Sequence, residues 1–259
     1  MNDIKILFFD IDGTLLDPAT GAISPKTRET LRRLRENGKL VCIATGRPPA
    51  SLPQFGDLEF DMLCTSNGCL CYTETETIFT SPIPLESAKK IIANSAAIGR
   101  PVSVAVRDRL VANGIEQDLA DYYTSAGLVL TVAEDFDEVC QNEDIYQIMM
   151  GCREADHPTI IRDVENVRVV FSWYRAADVI SSYGGKGNGI RNILKHYQLD
   201  ASQAVAFGDS FNDIDMLQAV GTGVAMGNAM DRLKAVADDV CGSVSEDGIY
   251  HYCLQHGLI

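Results

Sequence analysis

The sequence lacks any apolar run that approaches the roughly 20 residues needed by a membrane-spanning helix. Near the amino terminus, the apolar stretch that begins at Ile4 is interrupted by Asp10 and Asp12, so it does not have the form of a signal peptide. We therefore expect a cytoplasmic protein.

Basic residues are scarce relative to acidic ones. The chain has 22 lysines and arginines against 36 aspartates and glutamates, which gives a net charge of −14. A surface that binds nucleic acid or anionic lipid needs a basic footprint, so we expect neither a nucleic-acid partner nor a membrane partner. A small anionic substrate remains compatible with this charge, because a bound cation can reverse the local field.

Closely paired cysteines are also lacking. The chain has eight cysteines, but no two of them have the CxxC spacing of zinc sites. Cys64, Cys69 and Cys71 are the closest group. Cys69 and Cys71 are two residues apart, which is the spacing of residues on one face of a strand. A chain of 259 residues can bury a core without disulfides. We therefore expect reduced, buried thiols.

What the sequence does contain is a regular alternation of strands and helices. Up to about residue 80, the apolar runs "IKILFF", "KLVCIA" and "DMLC" predict buried strands. Between the first two runs, Ser24 and Pro25 predict the start of a helix, and Gly38 follows its end. Buried strands separated by helices predict a parallel sheet that is covered on both faces.

The middle of the chain has a different pattern. Strands such as "VSVAV", "DIYQIMMGC", "VRVVFSWY" and "AADVIS" follow one another with helices between them, which predicts an α+β layer with an antiparallel sheet. From about residue 183 the first pattern returns. The predicted fold class is therefore α/β: a Rossmann-like parallel-sheet core made of residues 1–81 and 183–259, with an α+β domain of residues 82–182 inserted into it.

Polar side chains gather at the ends of the strands in the predicted parallel sheet. They are Asp10, Asp12, Thr45, Lys186, Asp209 and Asp213. Each has an ordinary explanation by itself, such as a turn, a helix cap or an acidic first turn of a helix. Together they indicate a binding site, because ligands of an open α/β sheet bind outside the carboxyl ends of its strands.

The residue types fit phosphoryl transfer that depends on magnesium. Clustered carboxylates resist ionising together unless a cation neutralises them, and Mg²⁺ is usually bound through one or two carboxylates and a substrate phosphate. Asp10 and Asp209 would supply those carboxylates. One carboxylate can then attack phosphorus, and Asp12, two residues further on the same side of the strand, can move protons. Thr45 and Lys186 would hold the transferring oxygens.

Four segments resemble the motifs of the haloacid dehalogenase (HAD) superfamily of phosphohydrolases. They are "FFDIDGTLL", "IATGRP", the lysine of "GGKGNGI" and "GDSFNDIDML". The inserted region resembles the type 2 cap of the Cof-type subfamily, which "TSNG" also fits. The resemblance implies a phosphatase that hydrolyses small phosphorylated metabolites, sugar phosphates above all, with Mg²⁺ as its cofactor. We expect a monomer or a small homo-oligomer.

The resemblance also implies roles for individual residues. Asp10 resembles the nucleophile, and Asp12 resembles the general acid and base, which also offers its backbone carbonyl to the metal. Asp209 resembles a metal ligand. The residues that resemble the phosphate-binding set are Thr45, Gly46, Lys186 and Asn212.

Three further residues are expected to support the site. Asp213 either lies beside the metal ligands or orients Lys186. Arg47 follows "ATG" and either contacts the substrate or makes a structural salt bridge. Asn67 belongs to the "TSNG" segment that fits the Cof-type subfamily.

Other functions are compatible with the same motifs. A phosphomutase of the superfamily also forms an aspartyl phosphate, but the position of the insertion after the second motif is more typical of phosphatases. A non-catalytic phosphate-binding or regulatory protein would typically lose a carboxylate of the site, and all are present in this chain. A dehalogenase would need neither Mg²⁺ nor Asp12.

The sequence does not select the residues that recognise the rest of the substrate. Tyr122, Tyr123, Trp173 and Tyr174 are candidates by their size. Aromatic residues at the spacing of a strand or a helix are more often part of a core, so they have no assigned role at this point.

Overall fold

A computed structural model describes residues 3–259. The chain divides into two compact units. Unit 1 comprises the residues up to Gly46 together with Gln54–Phe79 and Gly185–Ile259, and unit 2 comprises Arg47–Pro53 and Thr80–Gly184. The predicted domains, residues 1–81 with 183–259 and residues 82–182, stay a prediction about folding units.

The strands and helices are numbered in chain order. The strands are β1 (Ile6–Phe9), β2 (Leu40–Ala44), β3 (Met62–Thr65), β4 (Leu70–Tyr72), β5 (Thr77–Thr80), β6 (Val102–Ala105), β7 (Leu110–Ala112), β8 (Gln147–Gly151), β9 (Val167–Trp173), β10 (Ala176–Ser181), β11 (Ala204–Gly208), β12 (Thr222–Ala225) and β13 (Asp239–Val240). The helices are α1 (Pro25–Glu36), α2 (Leu85–Ala97), α3 (Gln117–Ser125), α4 (Phe136–Asn142), α5 (His157–Ile160), α6 (Lys186–His196), α7 (Ile214–Leu217), α8 (Asp231–Lys234) and α9 (Gly248–Gln255).

The sheet of unit 1 is mostly parallel and has the order β13-β12-β11-β1-β2-β3-β4-β5. β1 lies between β11 and β2, parallel to both, and Phe9 is in register with Phe207 and Ile43. All four residues of β1 are buried, as expected for a central strand that is covered on both faces. The predicted parallel core is confirmed, and β4 returns antiparallel to β3.

Helix α1 forms as its sequence predicts. The Ser24 side chain accepts a hydrogen bond from the backbone N–H of Thr27, Pro25 occupies the first position, and Gly38 beyond the end has a φ of +73°. The sequence predicts a helix over "FNDIDMLQAV", but the helix in the structure is much shorter, because a 3₁₀ turn occupies Phe211–Asp213 and α7 covers only four residues.

Unit 2 contains an antiparallel five-stranded sheet with the order β7-β6-β8-β10-β9. One face packs against α2, α4 and α5 through an apolar cluster that includes Ile91, Val139 and Ile160. The opposite face packs against α3 through Leu119 and Tyr123. The predicted α+β insertion with an antiparallel sheet is confirmed.

The cysteines are free thiols, and all of them except Cys241 are buried. Burial raises the pKa of Cys253 and of Cys152 to about 12, so neither thiol ionises at neutral pH. Among the residues that the structure describes, no helix is both long enough and apolar enough to cross a membrane.

Candidate active site

Asp10 stands directly after β1, at the carboxyl end of the sheet. Its backbone N–H donates to the carbonyl of Phe207 at 3.0 Å, which continues the pairing of β1 with β11 by one residue. Only 5% of Asp10 is exposed. The central strand therefore delivers a carboxylate to a buried position, where the loss of hydration is costly unless a positive charge is near.

Lys186, the first residue of α6, lies between two carboxylates. Its Nζ atom is 2.6 Å from Oδ1 of Asp10 and 2.6 Å from Oδ1 of Asp213. Both Lys186 and Asp213 are almost completely buried. The other oxygen of Asp213, Oδ2, accepts the backbone N–H groups of Asp209 and Ser210, each at 2.9 Å. Asp213 is thus anchored by the backbone, and it holds the lysine beside Asp10.

Asp209 follows β11 and supplies a third carboxylate. Oxygen atoms of Asp10, Asp209 and Asp213 lie within 4.8 Å of one another. The loop after β1 packs closely against Asp209, because Thr14 Oγ1 donates to its Oδ1 at 3.5 Å and a Cβ on Gly13 would overlap its carboxylate. Gly13 also has a φ of +84°, which only glycine adopts readily.

This cluster contains three carboxylates and one ammonium group, and the pKa values of its members are shifted by burial and by these charges. Burial, together with Asp213 and Asp209, raises the pKa of Asp10 well above its ordinary value, although Lys186 opposes the shift. Burial and Asp213 raise the pKa of Asp209 to about 7. Burial lowers the pKa of Lys186, but Asp10 and Asp213 more than compensate, and the net shift is upward. The lysine stays charged and is not enough to neutralise its neighbours.

These residues fit a hard divalent cation. Carboxylate oxygens are the ligands that Mg²⁺ prefers, and a cation would relieve the repulsion that raises the pKa of Asp10 and Asp209. Asp213 already accepts Lys186 and two backbone amides, so Asp10 and Asp209 are the better candidates for ligands.

Asp12 differs from the other acids in exposure. Its side chain is exposed, and its backbone forms an isolated bridge with Leu16. Its charge is still near enough to contribute to the raised pKa of Asp209. The position is compatible with a group that exchanges protons with water, and its role as general acid and base stays a prediction.

The residues predicted to bind phosphate also stand at strand or helix ends of unit 1. Thr45 follows β2, is buried, and donates its backbone N–H to the carbonyl of Cys64 at 2.8 Å. Asn212 Nδ2 donates to Asn67 Oδ1 at 3.0 Å. Both amides lie beside Gly46, where a Cβ would be 3.0 Å from Asn67 Oδ1 and 3.1 Å from Asn212 Nδ2.

Arg47 has its described hydrogen bonds within unit 2. Its Nη1 atom donates to the carbonyls of Ser51 at 2.9 Å and of Ala126 at 3.1 Å. Neither of the two alternatives suggested by the sequence, a substrate contact or a structural salt bridge, is tested by these contacts.

The aromatic candidates of unit 2 have different surroundings. Tyr123 is buried and its hydroxyl contacts Ser103, whereas Tyr174 is 64% exposed. Tyr122 donates to the carboxylate of Asp178, and its ring stacks on Trp173 at 6.1 Å. Any contact of these rings with a substrate stays a prediction.

One residue that supports the site, Asn228, was not among the residues predicted from the sequence. Asn228 Nδ2 donates to the carbonyl of Gly13 at 2.8 Å and so fixes the loop that follows Asp12. Its position could have suggested a role, since Asn228 lies in the short segment "GNAM" that follows β12, and other site residues also follow strands of this sheet.

The sequence and the fold identify the family. The model of the haloacid dehalogenase-like hydrolases matches residues 7–253, and the chain belongs to that family. It is 31% identical to YkrA of Bacillus subtilis (strain 168), with 99% of each chain covered. It is 28% identical to the 5-amino-6-(5-phospho-D-ribitylamino)uracil phosphatase YitU of the same organism, with 97% of each chain covered.

A solved structure gives the same assignment. The HAD subclass IIB sugar phosphatase BT4131 superposes with a TM-score of 0.90 at 30% identity, covering 98% of this chain and 100% of that one. The resemblance drawn from the four motifs is therefore confirmed, and so is the α/β fold with an inserted cap domain.

Proposed function

We propose that this phosphatase of the haloacid dehalogenase-like family hydrolyses phosphomonoesters of small metabolites through an aspartyl phosphate on Asp10, with Mg²⁺ as cofactor. One observation supports the proposal most strongly. The buried carboxylate of Asp10 contacts the buried ammonium of Lys186 and lies within 4.8 Å of two further carboxylates. Such a cluster is costly for folding and useful for binding a phosphate with its cation.

In the first half of the reaction, a carboxylate oxygen of Asp10 attacks phosphorus. A new bond forms between that oxygen and phosphorus, and the bond from phosphorus to the ester oxygen breaks. The electron pair leaves with the ester oxygen, which takes a proton from the carboxylic acid of Asp12 and departs as the alcohol. Lys186 and the hydroxyl of Thr45 donate hydrogen bonds to the phosphoryl oxygens.

In the second half, water attacks the same phosphorus atom. Asp12, now a carboxylate, accepts the proton of that water, and the bond between phosphorus and the Asp10 oxygen breaks. Inorganic phosphate leaves, and both aspartates return to their starting protonation states. Asp213 keeps Lys186 in place throughout, because its own position is fixed by the backbone amides of Asp209 and Ser210.

The proposed ligands of Mg²⁺ are the carboxylates of Asp10 and Asp209 and the backbone carbonyl of Asp12. When bound, the ion supplies positive charge that lets an anionic substrate approach an anionic nucleophile. Without it, the carboxylates of Asp10, Asp209 and Asp213 would repel a phosphate, since among the described residues they outnumber the one lysine that contacts them.

We propose sugar phosphates and phosphorylated sugar alcohols as the first substrate class to examine. BT4131 is named as a sugar phosphatase, and the name of YitU describes a substrate with a phosphorylated ribityl chain. Both names describe a phosphate ester on a polyhydroxylated carbon chain. The substrate would be a cytoplasmic metabolite, and the enzyme a monomer or a small homo-oligomer.

A screen of phosphorylated metabolites for phosphate release tests this function. The wild-type protein is assayed with Mg²⁺ and with EDTA, next to Asp10→Asn. An amide cannot form the acyl phosphate, so Asp10→Asn should lower phosphate release by at least about a thousandfold. Chelation should abolish release, and added Mg²⁺ should restore it.

Asp17→Asn is a matched control, because Asp17 is a carboxylate in the loop after β1 whose described partner is the backbone N–H of Ala19. It should retain the wild-type rate. Full activity in EDTA would remove the metal from the proposal, and near-normal turnover by a folded Asp10→Asn protein would remove the nucleophile. Isomerised sugar phosphate without free phosphate would instead indicate a mutase.

A further inference from the structure

The turn between β3 and β4 has a backbone conformation that most residues avoid. The φ values are +49° at Ser66, +51° at Asn67 and +80° at Gly68. Glycine adopts this left-handed region readily and asparagine tolerates it, whereas serine is rarely found there. All three residues are buried. Consecutive left-handed residues with side chains persist only where their surroundings hold them, and such strain is concentrated at functional sites.

Asn67 makes hydrogen bonds to three separate loops of unit 1. Its backbone N–H donates to the carbonyl of Thr45 at 3.0 Å, and its own carbonyl accepts the backbone N–H of Gly185 at 2.8 Å. Its side-chain Oδ1 accepts Nδ2 of Asn212 at 3.0 Å. These loops carry Thr45, Lys186 and Asn212, the side chains that we propose as ligands of the phosphoryl group.

The residues on either side of Asn67 show what the strained turn achieves. A Cβ on Gly68 would overlap the carbonyl of Gly185, so the turn is packed directly against the residue that precedes Lys186. The buried hydroxyl of Ser66 has no hydrogen-bond partner in the part of the chain that the structure describes. The turn therefore obtains no compensation from the Ser66 side chain, and its favourable interactions are those with the neighbouring loops.

We infer that Asn67 is a positioning residue of the catalytic site, which fixes the spacing between Thr45, Lys186 and Asn212. This inference rests on the proposed function, since it concerns the same phosphoryl group. Hydrogen-bond donors stabilise a transferring phosphoryl group only if their separations are correct before the substrate arrives. The two backbone bonds of Asn67 set the loops that carry Thr45 and Lys186, and its amide sets the side chain of Asn212.

Two substitutions separate the amide from the backbone. Asn67→Gly keeps the left-handed conformation and both backbone hydrogen bonds but removes the amide, whereas Asn67→Ala removes the amide and adds strain. Both should lower kcat/KM for p-nitrophenyl phosphate by about 10- to 100-fold, the size of effect that small misplacements of binding groups produce. Inhibition by inorganic phosphate should weaken in the same variants. Asn67→Ala should lower the melting temperature more than Asn67→Gly does.

A double-mutant cycle tests whether the amide acts through Asn212. If Asn67 holds that side chain in place, Asn67→Gly combined with Asn212→Ala should be no slower than Asn212→Ala alone. If the loss of kcat/KM in the double variant equals the product of the two separate losses, the amide acts independently of Asn212. That result would overturn this part of the inference.

Gln198→Gly is the matched control, because Gln198 is an exposed left-handed residue, with a φ of +55°, beyond the end of α6. It should leave kcat/KM and phosphate inhibition unchanged. A merely structural role for Asn67 would lower the melting temperature and leave both kinetic quantities at their wild-type values, which would refute the inference. If the wild type released no phosphate from any ester, the proposed function would fail. Calorimetric binding of inorganic phosphate to wild type and Asn67→Gly would still decide the role of Asn67.

Discussion

Each unit contains a cluster of charged side chains, and the two clusters differ in how many cations contact their central carboxylates. In unit 1, the lysine Nζ of Lys186 is shared by Asp10 and Asp213, with Asp209 close by. In unit 2, the carboxylate of Asp118 lies within 2.7 to 3.5 Å of three arginines, two of which also pair with further acids, namely Glu116, Asp121 and Asp156. Those arginines are Arg100, Arg153 and Arg175.

The pKa values of the acids move in opposite directions in these clusters. The hydrogen bond from Arg153, assisted by the charges of Arg175 and Arg100, lowers the pKa of Asp118. Burial and neighbouring acids raise the pKa of Asp10 and of Asp209. The lowered pKa of Asp118 reflects hydrogen bonds and charges of arginines, whereas the raised pKa values of Asp10 and Asp209 reflect burial first and neighbouring acids second. We therefore interpret the unit 2 cluster as a structural ion cluster and the unit 1 cluster as a candidate binding site.

The largest expected effect follows from removing the cation of the unit 1 cluster. Lys186→Gln leaves Asp10 and Asp213 without their shared partner, and losing one member of a buried ion pair typically costs about 3–5 kcal/mol. We expect a loss of that size in denaturant unfolding at neutral pH with EDTA present. Phosphate release should also fall by about a thousandfold, since a charged donor to the transferring oxygens is gone.

The stability loss of Lys186→Gln should shrink at lower pH, because protonation of the unpaired carboxyl groups removes their charge. Lys195→Gln, a change of an exposed lysine on the same helix, serves as the control and should leave stability and activity intact. If Lys186→Gln were as stable as the wild type at neutral pH, the unit 1 cluster would not be short of positive charge. That result would contradict the distinction between the two clusters.

A smaller effect, of opposite sign, is expected for Asp209→Asn. The pKa of Asp209 is about 7 in the folded protein and about 4 for an aspartate in an unfolded chain. The folded state therefore disfavours the charged form, and the resulting cost to stability grows as the pH rises from about 4 to 7 and is constant above. The amide removes this cost. Discounted for partial exposure to water, the expected gain at pH 8 is about 2 kcal/mol in EDTA.

Melting temperatures of wild type and Asp209→Asn at pH 4, 6 and 8 would measure this gain, which corresponds to a few degrees. The difference should be near zero at pH 4. Mg²⁺ should stabilise the wild type and have a weaker effect on the variant, which should also lose most of its activity. A variant that is less stable than the wild type at every pH would show that Asp209 is a satisfied structural group.

The parts of the molecule that follow local rules could be predicted from the sequence. Short apolar runs and neighbouring residues determine three such parts: the strands that precede Asp10 and Thr45, the Ser24 cap of α1, and the antiparallel insertion. Helix α9 was missed although Ile249, Tyr252 and Cys253 have the spacing of a buried helical face.

Other features depend on contacts between distant residues and could not be predicted. The carboxylate of Asp213 accepts two backbone amides just before it, which stabilises a tight turn where the sequence indicated a long helix. The hydrogen bonds of Asn67 require residues 45, 185 and 212 to be brought together by the fold. No periodicity of the chain contains that information.

The smallest expected effect concerns the unit 2 cluster. Asp118→Asn keeps the shape of the side chain but removes its charge, and the three arginines are partly exposed to water, so the loss of stability at pH 7 should be about 1 kcal/mol.

The folded-state pKa of Asp118 is lowered, so its contribution to stability is present above about pH 4, the pKa of an aspartate in an unfolded chain. This contribution is lost as the pH falls through the folded-state pKa. Denaturant unfolding at pH 7 and at pH 3 should therefore show a difference from the wild type that shrinks at the lower pH. Hydrolysis of p-nitrophenyl phosphate should stay within about twofold of the wild-type rate, because the described partners of the Asp118 carboxylate are arginines of unit 2. A large loss of kcat/KM in a fully folded Asp118→Asn protein would contradict the division of the two clusters into a structural one and a catalytic one.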